Sequence, residues 1–222
     1  MISVVCPSRG RPELAKRMID SLLRDPGCEI EILLYLNLDD PKLEEYKKIL
    51  DPRHYEVGVD RSPVYSWNKL AFQAKHDIVF LMGDDAQVVT PNWGAYILSI
   101  FDQYDDKIAM VSPKAENLGK SKCPHFFLHK NWINVLGYFV PPYFHHHYID
   151  FWVRDVATQI RRYIHLTEFV MPIIHNVDDD TINRYTGSWL KDRDLEMWNN
   201  SDRHKTADAK ALQLFIDNFR RK

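Results

Sequence analysis

Cysteine is scarce in this chain: 222 residues carry three, Cys6, Cys28 and Cys123, widely spaced and without a C-x-x-C pair. That excludes a disulfide framework and a thiolate zinc site, and fits a reducing compartment. Long apolar runs are missing as well. No stretch approaches the roughly 20 residues needed to span a bilayer, and the opening run Ile2-Ser3-Val4-Val5-Cys6 is too short for a signal peptide. The expectation is a cytoplasmic protein without a stable membrane anchor. Neither sign of charge dominates: the formal net charge is −2, so no global field points to nucleic acid or a membrane surface. The terminal Phe219-Arg220-Arg221-Lys222 is a local basic patch or a short solvated tail. There is no G-x-G-x-x-G and no G-x-x-x-x-G-K-[ST], which argues against dinucleotide dehydrogenases and P-loop NTPases.

What the chain does have is core. Hydrophobic residues make up 45% and charged residues 27%, ordinary for one compact domain. Short apolar runs at Ile2 to Cys6, Ile30 to Leu36, Tyr55 to Val59 and Ile78 to Met82 alternate with helical patterns. In the first such pattern Leu14, Ala15, Met18, Ile19, Leu22 and Leu23 share a face; another runs from Val64 to Lys75. Nearly continuous apolar strands separated by helices predict a doubly wound, Rossmann-like sheet buried on both faces. Further on, a helix is expected over Asn92 to Tyr104 and a strand over Ile108 to Ser112. Helical spacing returns at Ile149, Trp152, Val153, Val156, Ile160 and Ile164. A late strand is expected over Phe169 to Ile174 and a terminal helix over Lys205 to Arg220. An aromatic-rich stretch from Phe126 to Trp152, with three consecutive histidines, is left without regular elements.

Open α/β sheets bind ligands at the carboxyl ends of their strands. Those ends carry Ser8-Arg9-Gly10-Arg11, Asn37 with Asp39-Asp40, Asp60-Arg61 and Gly83-Asp84-Asp85. Two acidic pairs and three arginines would converge on one edge. Carboxylates that hold Mg²⁺ or Mn²⁺, beside arginines, suit a diphosphate.

At these residues the chain resembles the GT-A glycosyltransferases, glycosyltransferase family 2 in particular. Ile2-Ser3-Val4-Val5-Cys6-Pro7-Ser8-Arg9-Gly10-Arg11 is similar to the family's opening strand and nucleotide-contacting loop. Ile78-Val79-Phe80-Leu81-Met82-Gly83-Asp84-Asp85 is similar to the strand that ends in Asp-x-Asp, and Ser66-Trp67-Asn68-Lys69-Leu70-Ala71 to the helix before it. The resemblance covers residues 2 to about 112 in order, and 137 to 181 more loosely. It implies a mostly parallel GT-A sheet, with residues 1–112 as a nucleotide-sugar-binding half and 113–222 as an acceptor-side half of one domain.

The resemblance also implies the chemistry: metal-dependent transfer of a sugar from a nucleotide diphosphate sugar to a hydroxyl acceptor, with inversion. Pro7, Ser8, Arg9, Arg11, Asp39, Arg61, Asn68 and Asp84 become candidates for the nucleotide sugar. Asp85 and the late His175 become candidate ligands of Mn²⁺ or Mg²⁺. The sequence departs from the motif at its first carboxylate, where Met82 stands. After Leu136-Gly137-Tyr138-Phe139 the family's general base falls at Asp150, in the first turn of a helix, with Asp155 in reserve. A first-turn carboxylate is equally favoured by simple capping. The acceptor stays open: a small molecule, a glycan or a hydroxylated base in DNA. Two alternatives are kept, a catalytically degenerate nucleotide-sugar or glycan-binding protein and a sugar-phosphate nucleotidyltransferase, whose glycine-rich opening loop is missing here. His145, His146 and His147 cannot all ligate one ion, because neighbours in an extended segment point to opposite faces.

Overall fold

In the computed structural model, residues 1–59, 61–116, 124–173 and 189–221 are described. Among the described residues seven strands form one sheet: β1 Ile2–Ser8, β2 Ile30–Asn37, β3 Tyr55–Gly58, β4 Ile78–Leu81, β5 Met110–Ala115, β6 Phe126–His129 and β7 Tyr163–Met171. The order across the sheet is β3-β2-β1-β4-β6-β5-β7. β1 pairs in parallel with β2 and β4, β2 with β3, and β5 with β7; β6 runs antiparallel to both its neighbours.

The continuous apolar runs are explained by two cores, one on each face. Val4, Cys6, Phe80 and Met82 point into one, with α1 (Pro12–Leu23), α2 (Leu43–Ile49) and α4 (Trp93–Phe101) packed over them. Val5, Val79 and Leu81 point into the other, under α3 (Pro63–Gln73), α5 (Lys130–Leu136), α6 (Ile149–Gln159) and α8 (Asp202–Phe219). A strand whose two faces are both covered has no polar position to alternate with. Each fully buried Leu, Ile or Phe here stabilises the fold by about 1.5–3 kcal/mol.

The helices begin where local chemistry starts them. Ser62 caps α3 by accepting the Tyr65 N–H at 3.1 Å, with Pro63 at the first helical position. α5 ends at Gly137, whose φ of +78° closes the last turn.

The aromatic stretch holds more regular structure than its sequence announces. It contains β6 and α5, and β6 registers Phe126 against Leu81 and His129 against Ile78. Four residues are too few to display a period, which is why the strand is hard to read. α6 stops at Gln159, so Ile164 belongs to β7 and not to the helix; β7 itself starts six residues before the expected Phe169. A further helix, α7 (Trp189–Asn199), has a weakly amphipathic sequence and goes unread. Of the stretch's large aromatics, Trp132, Tyr138, Phe139, Phe144 and Trp152 are core, while Tyr143 is 40% exposed. Among the described residues no helix is long and apolar enough to cross a membrane.

Candidate functional site

The polar residues that follow β1, β2 and β4 meet at the carboxyl edge of the sheet. Asp84 lies at their centre, 1% exposed. Its Oδ1 is 2.5 Å from Arg11 Nη2, and its Oδ2 accepts from Arg11 Nε at 3.1 Å and from Ser8 Oγ at 2.5 Å. Burial pushes the Asp84 carboxyl up to about 6, although Arg11 and Ser8 pull it down. The network continues through Tyr46 of α2. Its hydroxyl lies 2.6 Å from Ser8 Oγ and accepts the Arg11 backbone N–H at 2.8 Å. With Ser8 committed to Asp84, the protons order as Arg11 N–H to Tyr46 O–H to Ser8 O–H to carboxylate, each bond polarising the next.

Two further bonds shape the loop after β1. Gly10 adopts φ +71° and donates its N–H to Asp40 Oδ2 at 2.8 Å, and Asp40 Oδ1 also accepts the Lys42 N–H at 2.8 Å. The Arg9 guanidinium reaches across to Asp39, with Nη1–Oδ1 at 2.6 Å and Nη2–Oδ2 at 3.2 Å. This fork lies at the surface, Asp39 being 56% exposed at its side chain. The ends of β1 and β2 are thus joined by Arg9 and Asp39 outside and by Gly10 and Asp40 inside.

After β4 the chain turns at Gly83. A Cβ there would stand 2.7 Å from Asp85 Oδ1 and 3.3 Å from His125 Cε1, so glycine leaves room for both side chains. The Gly83 N–H points at His125 Nδ1, 3.3 Å away. His125 is buried and immediately precedes β6. Met82, at the position of the motif's first carboxylate, is fully buried in the apolar core.

The remaining candidates are placed as follows. Pro7 is the penultimate residue of β1. Arg61 is exposed, its guanidinium 5.6 Å from the centre of the Tyr65 ring. Asn68 has a fully occupied amide. Its Nδ2 donates to the carbonyls of Val64 at 3.0 Å and Val140 at 2.9 Å, and its Oδ1 accepts the N–H of Phe139 at 2.8 Å and of Val140 at 3.1 Å. It clamps the 139–140 segment onto α3, which leaves no amide group to offer a ligand. Asp150 occupies the first turn of α6, half-buried, after Tyr148 turns the chain with φ +67°. Asp155 lies elsewhere, 3.3 Å from both Arg154 Nη2 and Lys205 Nζ, where it ties α6 to α8. His175 falls outside the described residues, as do Asp60 and Cys123.

The three histidines lead into α6. Their rings are partly buried, and His146 stacks on the indole of Trp67 at a centroid distance of 6.0 Å and an interplanar angle of 11°. Burial holds the His146 imidazole down at about 4, with His147, His145 and Arg11 adding positive charge nearby. His146 is therefore neutral at neutral pH and lies within electrostatic reach of Arg11.

Sequence reasoning passed over Tyr46, His125 and Asp194, the last of which accepts the backbone N–H groups of all three histidines. Tyr46 follows Leu43 at helical spacing and reads as core, which it also is. Nothing in the local sequence marks His125 or Asp194, since the partners of both are distant in the chain.

A sheet of this order, with one reversed strand and acidic and arginine side chains gathered past β1, β2 and β4, defines a GT-A-type fold. Solved structures share it. The mannosyltransferase PcManGT from Pyrobaculum calidifontis, in complex with GDP-Man and Mn²⁺, superposes with a TM-score of 0.61 at 12% identity, over 82% of this chain and 59% of that one. TarS 1–349 of S. aureus matches in complex with UDP-GlcNAc (TM-score 0.60, 12% identity, 80% and 59% of the two chains) and with UDP (0.57, 13%, 77% and 59%). This chain thus spans about 60% of the length of those structures. No family model and no curated protein matches the sequence. At such identities the likeness is one of fold.

Proposed function

We propose that the protein is a glycosyltransferase that moves a sugar from a nucleoside diphosphate sugar to a hydroxyl acceptor, in the cytosol. The observation that carries this reading is the convergence of Ser8, Arg9, Arg11, Asp39, Asp84 and Asp85 on the carboxyl edge of a GT-A-type sheet. The neighbours' bound UDP, UDP-GlcNAc and GDP-Man support it as analogies of fold.

In this reading Pro7 and Ser8 form the floor under the nucleotide, and Asp39 and Arg61 border it. Arg9 and Arg11 would face the diphosphate, whose paired non-bridging oxygens can accept from a planar guanidinium. Asn68 acts indirectly, through the 139–140 segment it holds. Asp84 is the group that fixes Arg11.

A divalent cation fits the same edge. Asp85 offers a hard oxygen donor, and its Oδ1 stands 2.7 Å from where a Cβ on Gly83 would lie, so the glycine leaves that carboxylate its place. Among the described residues no group of three or more His, Cys, Asp or Glu side chains is placed to hold a metal ion. Asp85 would hold Mn²⁺ or Mg²⁺, with His175 as the further candidate; the bound cation would neutralise charge developing on the departing diphosphate.

Asp150 is the proposed base. It lies in the first turn of α6, where it would take the proton from the acceptor hydroxyl as that oxygen attacks the anomeric carbon. Direct attack of this kind inverts the centre. The test is Asp150→Asn. Nucleotide binding is expected to stay within twofold of wild type while transfer falls about 10²–10⁴-fold. Full activity in the variant would remove Asp150 from the chemistry. A wild-type protein that binds nucleotide sugar and never transfers it would favour the degenerate binding protein, for which Met82 in place of a motif carboxylate is the specific support.

A further inference from the structure

The helix α7 lies beyond the α/β core and carries one fully buried acidic residue, Asp194. Its carboxylate is gripped by three consecutive backbone N–H groups. His145 N–H donates to Oδ1 at 2.8 Å, and His146 and His147 N–H both donate to Oδ2 at 2.9 Å. Successive N–H groups that converge on one anion form a nest, and here the anion belongs to the protein itself.

The same helix reaches α6 a second time. Trp198, four residues after Asp194 and so on the same helical face, stacks on Tyr148 at 5.6 Å and 15°, and tilts against Phe151 at 6.1 Å. Asp194 thus holds the loop entering α6 and Trp198 holds the first turn itself. Between those two grips lies Asp150. The loop is fixed on its other side by the stack of His146 on Trp67, whose neighbour Asn68 clamps residues 139–140.

We propose that Asp194 is a positioning residue for the acceptor side: it sets the loop 145–147 and, through it, the first turn of α6 that carries Asp150. The assignment rests on the glycosyltransferase reading for its catalytic consequence, but not for its structural one. Neutral, near-isosteric Asn cannot replace the carboxylate, because its amide nitrogen would face an N–H donor in the nest.

The experiment compares wild type with Asp194→Asn and Asp194→Ala, the Asn variant carrying the test if Ala fails to fold. Backbone hydrogen exchange is read at residues 145–147, UDP and GDP binding by calorimetry, and transfer by kcat and donor KM. In Asp194→Asn, exchange at those three amides is expected to rise at least tenfold while amides of β1 and β4 stay as they were. Nucleotide Kd and donor KM should remain within twofold, and kcat should fall about tenfold or more. Unchanged exchange at 145–147 would overturn the proposal. So would faster exchange with unchanged kcat, or a loss of nucleotide binding in step with kcat, which marks general damage. Failure of the glycosyltransferase reading looks different: wild type itself binds no nucleotide, and the exchange result still decides whether Asp194 sets the loop.

Discussion

Arg11 and Asp84, 73 positions apart in sequence, meet as a bidentate pair at the carboxyl edge of the sheet, with Nη2–Oδ1 at 2.5 Å and Nε–Oδ2 at 3.1 Å. The aspartate is entirely enclosed and the arginine side chain is 19% exposed. A carboxylate so placed depends on its partner, because breaking a buried pair leaves one charge uncompensated. Arg11→Ala is accordingly expected to cost about 3 kcal/mol in urea unfolding. Arg11→Lys should recover part of that stability, yet bind nucleotide diphosphate at least tenfold more weakly, because one ammonium cannot hold both Asp84 oxygens and still present a fixed donor to the diphosphate. Equal nucleotide affinity in the Lys variant would place the diphosphate elsewhere.

The Tyr46 hydroxyl joins the end of β1, at Ser8, to the residue before α1, Arg11. Tyr46→Phe keeps the packing of the ring and deletes the bridge between the Arg11 N–H and Ser8 Oγ. A loss of about 1–2 kcal/mol is expected, since a buried N–H is left without its acceptor. Equilibrium denaturation measures it. A change below a few tenths would show that the hydroxyl chain contributes nothing to the loop.

Gly83→Ala tests the turn after β4. The added methyl meets Asp85 Oδ1, the mobile end of a side chain, so the fold can yield by displacing that carboxylate. Thermal stability should change little while Mn²⁺-dependent nucleotide binding weakens about tenfold; each tenfold corresponds to about 1.4 kcal/mol. Unaltered metal dependence would detach Asp85 from the cation.

The gathering of these side chains at one sheet edge was legible in the sequence, and the reason is topological. Strands with two buried faces read as continuous apolar runs, and the polar residues at their ends, Ser8, Asp39 and Asp84, follow in order along the chain. What escaped depends on contacts across the chain. Asn68 sits in a recognisable helix, but its four hydrogen bonds to the backbone of residues 64, 139 and 140 cannot be read from spacing. Asp194 lies in a charged helix, Trp189–Asn199, where nothing local separates it from exposed Asp192. β6 escaped because a four-residue strand inserted antiparallel between β4 and β5 has no pattern of its own.

The histidine loop gives a pH dependence with a defined sign. The His146 imidazole titrates at about 4 in the folded chain against 6.5 in an unperturbed one. Between those values the unfolded chain binds the proton and the native one does not, so stability falls as pH drops from 6.5 toward about 4. His146→Phe keeps a ring against Trp67 and removes the titration. The denaturation midpoint of this variant should change less between pH 7.5 and pH 5 than that of wild type. Identical slopes in the two proteins would show that His146 is not buried in its neutral form.

Nucleotide binding tests most directly whether Asp84, Asp85 and Arg11 build a donor site. Calorimetric titration with UDP, GDP, CDP and TDP, each with and without Mn²⁺, should show one nucleotide bound in a metal-dependent manner and that binding lost in Asp85→Ala. Folded protein that binds none of the four, with or without the cation, would contradict the account and leave a GT-A-type fold without its chemistry.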